Sequence, residues 1–85
     1  MNIVPILKKI YEEKGITTCE LRLPGCWYDN ALTFAHRHKR IWYKSQPKKL
    51  TEFNQTVLGC VHCHMEIEYD RELTKQKFEE LRGAE

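Results

Sequence analysis

The sequence predicts a small α+β domain that a bound metal ion holds together. Three observations lead to this prediction: the chain has only 85 residues, its four cysteines fall into two pairs, and helical patterns flank a stretch rich in turn residues and aromatic side chains. A chain this short buries a small fraction of its surface, so a structural metal is a usual source of extra stability. We therefore expect one domain over residues 1–85.

The first predicted element is an N-terminal helix within residues 1–15. Ile3, Leu7 and Tyr11 recur at the spacing that forms one apolar stripe on a helix. Gly15 is a natural stop signal after such a stripe. We expect this helix to contribute to the hydrophobic core and assign it no chemistry.

The four cysteines have the spacing of metal ligands. Cys19 and Cys26 have six residues between them, and Cys60 and Cys63 have two. Both sulfurs of a Cys-x-x-Cys pair can reach one ion, and a tetrahedral Zn²⁺ then takes two further ligands. A Pro-Gly turn immediately before Cys26 favours bringing the first pair together. We predict a structural zinc site of four sulfurs; two disulfides are the alternative if the protein is secreted.

The cellular compartment follows from what the sequence lacks. The N-terminus does not have the order of charge and apolar residues of a secretory signal, and no apolar run approaches the ~20 residues that cross a bilayer. We therefore expect an intracellular, cytoplasmic protein that does not contact a membrane. In that compartment four cysteines are more often metal ligands than disulfides.

Residues 31–43 have the alternation of a strand or hairpin. In a strand, His36 and His38 would point to one face, and Arg37 and Lys39 to the other. This arrangement would separate a face with proton-transfer or metal-binding chemistry from a face that binds phosphate.

Two helices are predicted in the C-terminal part. The first begins near Cys60, and on it His64 and Glu68 are four residues apart and share a face. The second covers residues 73–83, with Thr74 as its N-cap and a glycine at its end.

Positive charge is concentrated between residues 37 and 49. This stretch has six basic residues and no acidic one, and Trp42 and Tyr43 lie among them. Basic residues interleaved with aromatic ones are typical of a surface that binds the phosphate backbone of nucleic acid. A solvated loop is the simpler alternative. The residues predicted to bind nucleic acid are Arg37, Lys39, Arg40, Lys44, Lys48 and Lys49.

Three stretches of the chain resemble the HNH endonucleases, also called ββα-metal or His-Me finger nucleases, and in particular small phage-type members with a four-cysteine zinc site. The stretches are Cys19–Cys26, Ala35–Arg40, and Asn54 together with Leu58–His64. The resemblance covers about residues 17–69. It implies a zinc-stapled ββα-metal core with flanking N- and C-terminal helices.

The resemblance also implies roles for individual residues. His36 corresponds to the general base that activates water, and Asn54 to the asparagine that orients this base. His64 corresponds to a ligand of a catalytic divalent ion, which could be Mg²⁺, Mn²⁺, Ni²⁺ or Zn²⁺. Glu68 or His38 would be a second ligand of that ion.

The function that the resemblance implies is metal-dependent nicking or cleavage of DNA by hydrolysis of phosphodiester bonds. The expected partners are DNA and other phage or DNA-processing proteins, and a phage-encoded protein would act in the host cytoplasm. One position departs from the family: Ala35 stands where members usually carry Asp or His as a further metal ligand. The alternative is therefore a catalytically inactive zinc-binding module on the same scaffold that binds DNA or protein.

Overall fold

The computed structural model describes residues 2–85 and contains three α-helices and one antiparallel sheet of two strands. The elements in chain order are α1 (Val4–Glu13), β1 (Leu32–His36), β2 (Thr56–Cys60), α2 (Val61–Glu68) and α3 (Arg71–Arg82). Three short 3₁₀ turns connect the strands, at Arg40–Tyr43, Pro47–Thr51 and Phe53–Gln55. The predicted α+β class is confirmed. None of the helices within residues 2–85 has the length and apolar character needed to cross a membrane.

The two strands form the platform on which the helices pack. His36, the last residue of β1, lies opposite Thr56, the first residue of β2. Val57 belongs to a hydrophobic cluster with residues of α2 and α3, whereas its neighbour Leu58 belongs to a second cluster with residues of α1. Because successive residues of a strand point to opposite faces, the sheet carries apolar packing on both sides.

Helices α1 and α2 lie where the sequence predicts them. Helix α1 ends just before Gly15, whose φ of +72° is readily adopted by glycine and typical of the residue after a helix. Helix α2 begins directly after Cys60, whose Sγ accepts a hydrogen bond of 3.4 Å from the backbone N–H of Cys63. The last residue of β2 is therefore also the N-cap of α2.

The prediction of an extended segment over residues 31–43 is wrong beyond His36. Strand β2 has only five residues, so it offers no partner to the chain beyond that point. The following segment instead forms a 3₁₀ turn that the buried side chain of Tyr43 anchors. The hydroxyl of Tyr43 donates a 2.9 Å hydrogen bond to Oε1 of Gln55, which is also buried.

The N-cap predicted at Thr74 is also wrong. Helix α3 starts earlier, and the side chain of Asp70 caps it by accepting a hydrogen bond from the backbone N–H of Leu73. Thr74 is buried inside the helix, and its hydroxyl lies within hydrogen-bond distance of the carbonyl oxygens of Ile67 and Asp70. The predicted end of the helix is confirmed, since α3 stops at Arg82 before Gly83.

Helix α3 is tied to the residue that follows β1. Arg37 is only 7% exposed, and its Nη2 donates hydrogen bonds of 3.2 and 2.7 Å to the carbonyl oxygens of Phe78 and Gly83. At the other end of the helix, Nη2 of Arg71 donates to the carbonyl oxygen of Arg37 at 3.2 Å. A cation near a helix C-terminus interacts favourably with the helix dipole, and the Gly83 carbonyl that Arg37 reaches lies beyond the last residue of α3. Arg37 is therefore not available to bind nucleic acid, and that prediction is corrected.

A buried ion pair connects α3 with the rest of the fold. Nη2 of Arg82 lies 2.7 Å from Oε1 of Glu20, and the two side chains are only 4% and 12% exposed. The same guanidinium donates to the Tyr11 hydroxyl and to the carbonyl oxygens of Phe53 and Thr56. Because both charges are paired and hydrogen-bonded, the cost of burying them is offset.

Replacing Arg82 should destabilise the protein strongly. We expect Arg82→Met to lower the free energy of unfolding by about 3–5 kcal/mol, because the largely buried Glu20 carboxylate loses its charge partner and keeps only the hydrogen bond from the backbone N–H of Leu58. The matched control is Lys77→Met, which breaks the more exposed pair between Lys77 and Glu80 and should cost less than about 1 kcal/mol. Urea denaturation at a fixed zinc concentration measures both values. Equal costs for the two substitutions would contradict this account.

Candidate metal centre and active-site cleft

The four cysteines lie together, as the sequence predicts. One ligand atom from each of Cys19, Cys26, Cys60 and Cys63 lies within 4.8 Å of every other, and all four cysteines are free. A Zn–S bond of about 2.3 Å implies tetrahedral sulfurs about 3.8 Å apart. The Sγ atoms of Cys26 and Cys60 are 3.9 Å apart, which agrees with that value. The cluster therefore suits a structural metal such as zinc.

Backbone N–H groups point at the sulfurs. The N–H of Trp27 donates to Sγ of Cys60 at 3.4 Å, and the N–H of Tyr28 donates to Sγ of Cys26 at 3.3 Å. Burial raises the pKa of the Cys60 thiol, but hydrogen bonds from the backbone of Cys63 and Trp27 and from neighbouring thiols outweigh it and lower this pKa to about 7. Donors aimed at sulfur favour the thiolate, which is the form that binds a metal.

His62 covers the turn beside the sulfurs and is not one of the clustered ligands. Its Nε2 donates a 2.9 Å hydrogen bond to the carbonyl oxygen of Pro24, and its ring stacks on Trp27. Gly25 has a φ of +84°, and a Cβ at this position would lie 2.8 Å from Nε2 of His62. The positive φ favours glycine at this position, and a side chain here would also displace the His62 ring.

A cleft opens on the side of α2 that faces the end of β1. It has a volume of about 470 Å³. Its titratable or charged lining residues are His36, His38, Lys39, Arg40, His64, Glu68 and Arg71. The strand histidine and the helix histidine that the sequence singles out thus line the same cleft.

A backbone carbonyl orients His36. Nε2 of His36 lies 2.9 Å from the carbonyl oxygen of Leu50. A carbonyl only accepts, so Nε2 carries the proton and Nδ1 keeps its lone pair. Burial lowers the pKa of His36; the Leu50 hydrogen bond opposes this effect, while Arg40 and His64 add to it. The imidazole is therefore neutral at pH 7, the form that can accept a proton.

His64 and Glu68 lie side by side on one turn of α2. Nε2 of His64 is 3.5 Å from Oε2 of Glu68, and Nδ1 of His64 is 2.9 Å from the hydroxyl oxygen of Thr33. His38 also borders the cleft, but its Nε2 is 2.8 Å from the carboxylate of Glu85. Of the two predicted partners for His64 in binding an ion, the geometry therefore favours Glu68 over His38.

The structure does not bring Asn54 to the cleft. Asn54 is exposed, and its side chain forms no hydrogen bond with another residue in the range 2–85. The group that orients the His36 imidazole is the Leu50 carbonyl instead. Ala35 lines the cleft as a buried methyl group that packs in the cluster with residues of α2 and α3.

The predicted basic residues differ in where they lie. Lys39 and Arg40 are exposed and line the cleft, and Arg71, which the sequence reasoning missed, joins them there. Lys44 and Lys48 are exposed but lie outside the cleft lining. The last predicted residue, Lys49, is half-buried, and its Nζ lies 5.3 Å from the centre of the Trp42 ring.

No family model matches the chain, and no curated protein and no solved structure matches it significantly. The titratable and charged side chains of the cleft are an imidazole with a free lone pair, an imidazole next to a carboxylate, three cationic groups, and the imidazole of His38, which pairs with Glu85.

Removing the structural metal should unfold the domain, because the sulfur cluster joins two distant parts of the chain. We expect one tightly bound zinc per chain, and we expect Cys26→Ser to lose both the metal and the cooperative thermal transition. The matched control is His62→Ala, which alters a neighbour of the cluster but no ligand and should retain the zinc. Metal analysis and circular dichroism measure these outcomes. A metal-free chain with an unchanged melting curve would contradict the structural role.

Proposed function

We propose that the protein is a metal-dependent endonuclease of the HNH type, in which β1, β2 and α2 form a zinc-stapled ββα-metal unit that hydrolyses DNA phosphodiester bonds. One observation carries the proposal: the neutral His36 lines the same cleft as the adjacent pair His64 and Glu68. A base and a candidate ion site that share one cleft are what hydrolysis of a phosphodiester needs.

In this proposal His36 is the general base. Its Nε2 proton is engaged by the Leu50 carbonyl, so only Nδ1 can take the proton of an attacking water. The lowered pKa keeps the imidazole unprotonated near pH 7 and therefore ready to act. The sheet pairing of β1 with β2 and the hydrogen bond to Leu50 hold the ring in place.

His64 and Glu68 are the residues that would hold the catalytic ion. An imidazole nitrogen and a carboxylate oxygen 3.5 Å apart are both within reach of one divalent ion. When bound, such an ion supplies Lewis-acid stabilisation of the negative charge that develops on the scissile phosphate. Solvent can complete the coordination shell, since both side chains are partly exposed.

Cationic side chains around the cleft would hold the DNA backbone. Lys39, Arg40 and Arg71 line the cleft, and Lys44 and Lys48 add positive charge on the exposed surface. Contacts to phosphate fix the position of the nucleic acid without reading its sequence. We therefore expect little sequence specificity from this domain alone.

One observation favours a second candidate function, a zinc-stapled module that binds DNA without cutting it. Ala35 offers a methyl group to the cleft at the position where the HNH nucleases usually have a metal-binding side chain. The ion would then have two ligands from α2 and none from β1. The two functions differ in cleavage and agree in DNA binding, so both properties have to be measured on the same samples.

Replacing His36 should abolish cleavage without affecting DNA binding. We expect His36→Ala to reduce nicking of supercoiled plasmid by about 10²–10⁴-fold with Mg²⁺, Mn²⁺ or Ni²⁺, because the general base is lost. The matched control is His62→Ala, a histidine that lies outside the cleft and should cut like the wild type. If wild type and His36→Ala bind DNA equally and neither cuts it with any of the ions, the binding module is correct.

Affinity for DNA should depend steeply on salt, and the cleft residues should account for part of this dependence. We expect Arg40→Ala to weaken binding to all sequences similarly and to reduce the slope of log affinity against log salt by about 1, because one phosphate contact is lost. Lys8→Ala, on the exposed surface of α1, is the matched control and should leave the slope unchanged. Fluorescence anisotropy at several salt concentrations measures both. Equal slopes for Arg40→Ala and the wild type would remove Arg40 from the interface.

A further inference from the structure

The hydroxyl of Thr33 joins three elements beside the cleft. Its oxygen lies 3.0 Å from the carbonyl oxygen of Gly59 and 2.9 Å from Nδ1 of His64. Thr33 is on β1, Gly59 is on β2 and His64 is on α2. The threonine therefore links the sheet to the imidazole that faces Glu68.

Counting protons at this hydroxyl assigns the state of the histidine. A hydroxyl has one hydrogen to donate, and it can accept through its lone pairs. The Gly59 carbonyl can only accept, so the Thr33 hydrogen is committed to it. The same oxygen can then only accept from His64, and Nδ1 of His64 must carry a proton. In the neutral imidazole, Nε2 is left with a lone pair.

This lone pair points toward another acceptor. Nε2 of His64 lies 3.5 Å from Oε2 of Glu68, and an ionised carboxylate has no hydrogen to donate. Two electron-rich atoms at this distance favour a cation or a proton between them. With the opposite tautomer, Nε2–H would donate to Glu68 and would have no lone pair for a metal ion.

From this geometry we infer that Thr33 is a positioning residue: it selects the Nδ1–H tautomer of His64 and thereby presents Nε2, together with Glu68, to a divalent ion. The tautomer assignment is independent of the proposed nuclease function. The role of Thr33 toward the ion rests on that proposed function. Metal-binding histidines commonly donate their other ring N–H to an oxygen, which fixes the ring and its tautomer.

Tight packing fixes the position of the Gly59 carbonyl, which accepts the hydrogen of the Thr33 hydroxyl. Thr33 and Gly59 are directly opposite each other in the sheet. A Cβ on Gly59 would lie 2.8 Å from Cδ1 of Leu21, which is buried, so only glycine allows this close approach. The carbonyl that receives the Thr33 hydrogen is therefore fixed by the core and not by a mobile side chain.

The tautomer can be measured directly by nitrogen NMR of the histidine rings in the zinc-loaded full chain, at a pH well above the ordinary histidine pKa of about 6.5. We expect the Nδ1–H form for His64 in the wild type and in Thr33→Ser, which keeps the hydroxyl. Thr33→Val has nearly the same shape but no hydroxyl, and it should shift His64 toward the Nε2–H form. A wild-type Nε2–H form, or an identical spectrum for Thr33→Val, would overturn the inference. If Thr33→Val does not fold, the wild type and Thr33→Ser still decide the assignment.

The consequence for the ion is measured by titrating the protein with Mn²⁺ alone. Binding is detected as the loss of the free-ion signal in electron paramagnetic resonance. We expect Thr33→Val to bind Mn²⁺ about 10–100-fold more weakly, and Thr33→Ser to bind like the wild type. Equal affinities for the wild type and Thr33→Val would overturn the role of Thr33 toward the ion. A wild type that shows the Nδ1–H form but binds no Mn²⁺ would overturn that role and also count against the nuclease, while the tautomer assignment would stand.

Discussion

The cluster of four sulfurs is the constraint on which the rest of the structure depends. It connects the turn segment that carries Cys19 and Cys26 with the junction of β2 and α2. Arg22 and Tyr28 in that segment have left-handed backbone conformations, which cost about 1–2 kcal/mol per residue. A structural zinc contributes about 10–16 kcal/mol in small domains, so a zinc bound to these four sulfurs would offset this cost. The segment also packs into the protein, since Cys19 and Leu21 belong to the same hydrophobic cluster as Val57 of β2 and Phe78 of α3.

The parts of the fold that were predictable are those with a local physical signal. Cysteine spacing indicates a metal site because a single ion limits how far apart its ligands can lie, and the four cysteines do lie together. The apolar stripe of α1 and the start of α2 after Cys60 likewise depend on neighbouring residues. The end of β1 at His36 was not predictable, since it depends on the length of a partner strand that lies twenty residues away in sequence. Arg37 looked like a surface residue because its neighbours are basic, but the placement of α3 buries it.

The candidate site was predictable in its side chains and not in the groups that orient them. His36, His64 and Glu68 line one cleft, as their positions on a strand and a helix allowed us to expect. The orienting group for His36 is a backbone carbonyl, at Leu50, and a carbonyl is present in every residue and so leaves no mark in the sequence. Thr33 is a residue type that is common in strands, so its presence in β1 gives no sign that its hydroxyl also bonds to Gly59 of β2 and His64 of α2.

The hydrogen bonds between α3 and Arg37 make the geometry of the cleft depend on the position of this helix. The helix is held at its two ends by the same residue, since Arg37 reaches the carbonyls at its C-terminus and Arg71 at its N-terminus reaches the Arg37 carbonyl. Arg37 directly follows His36 in the chain. Helix α3 is therefore hydrogen-bonded, near both of its ends, to the residue that follows the proposed base. Proteolysis within α3, or a ligand that displaced the helix, would disturb the position of the imidazole and would also move Arg71, which lines the cleft.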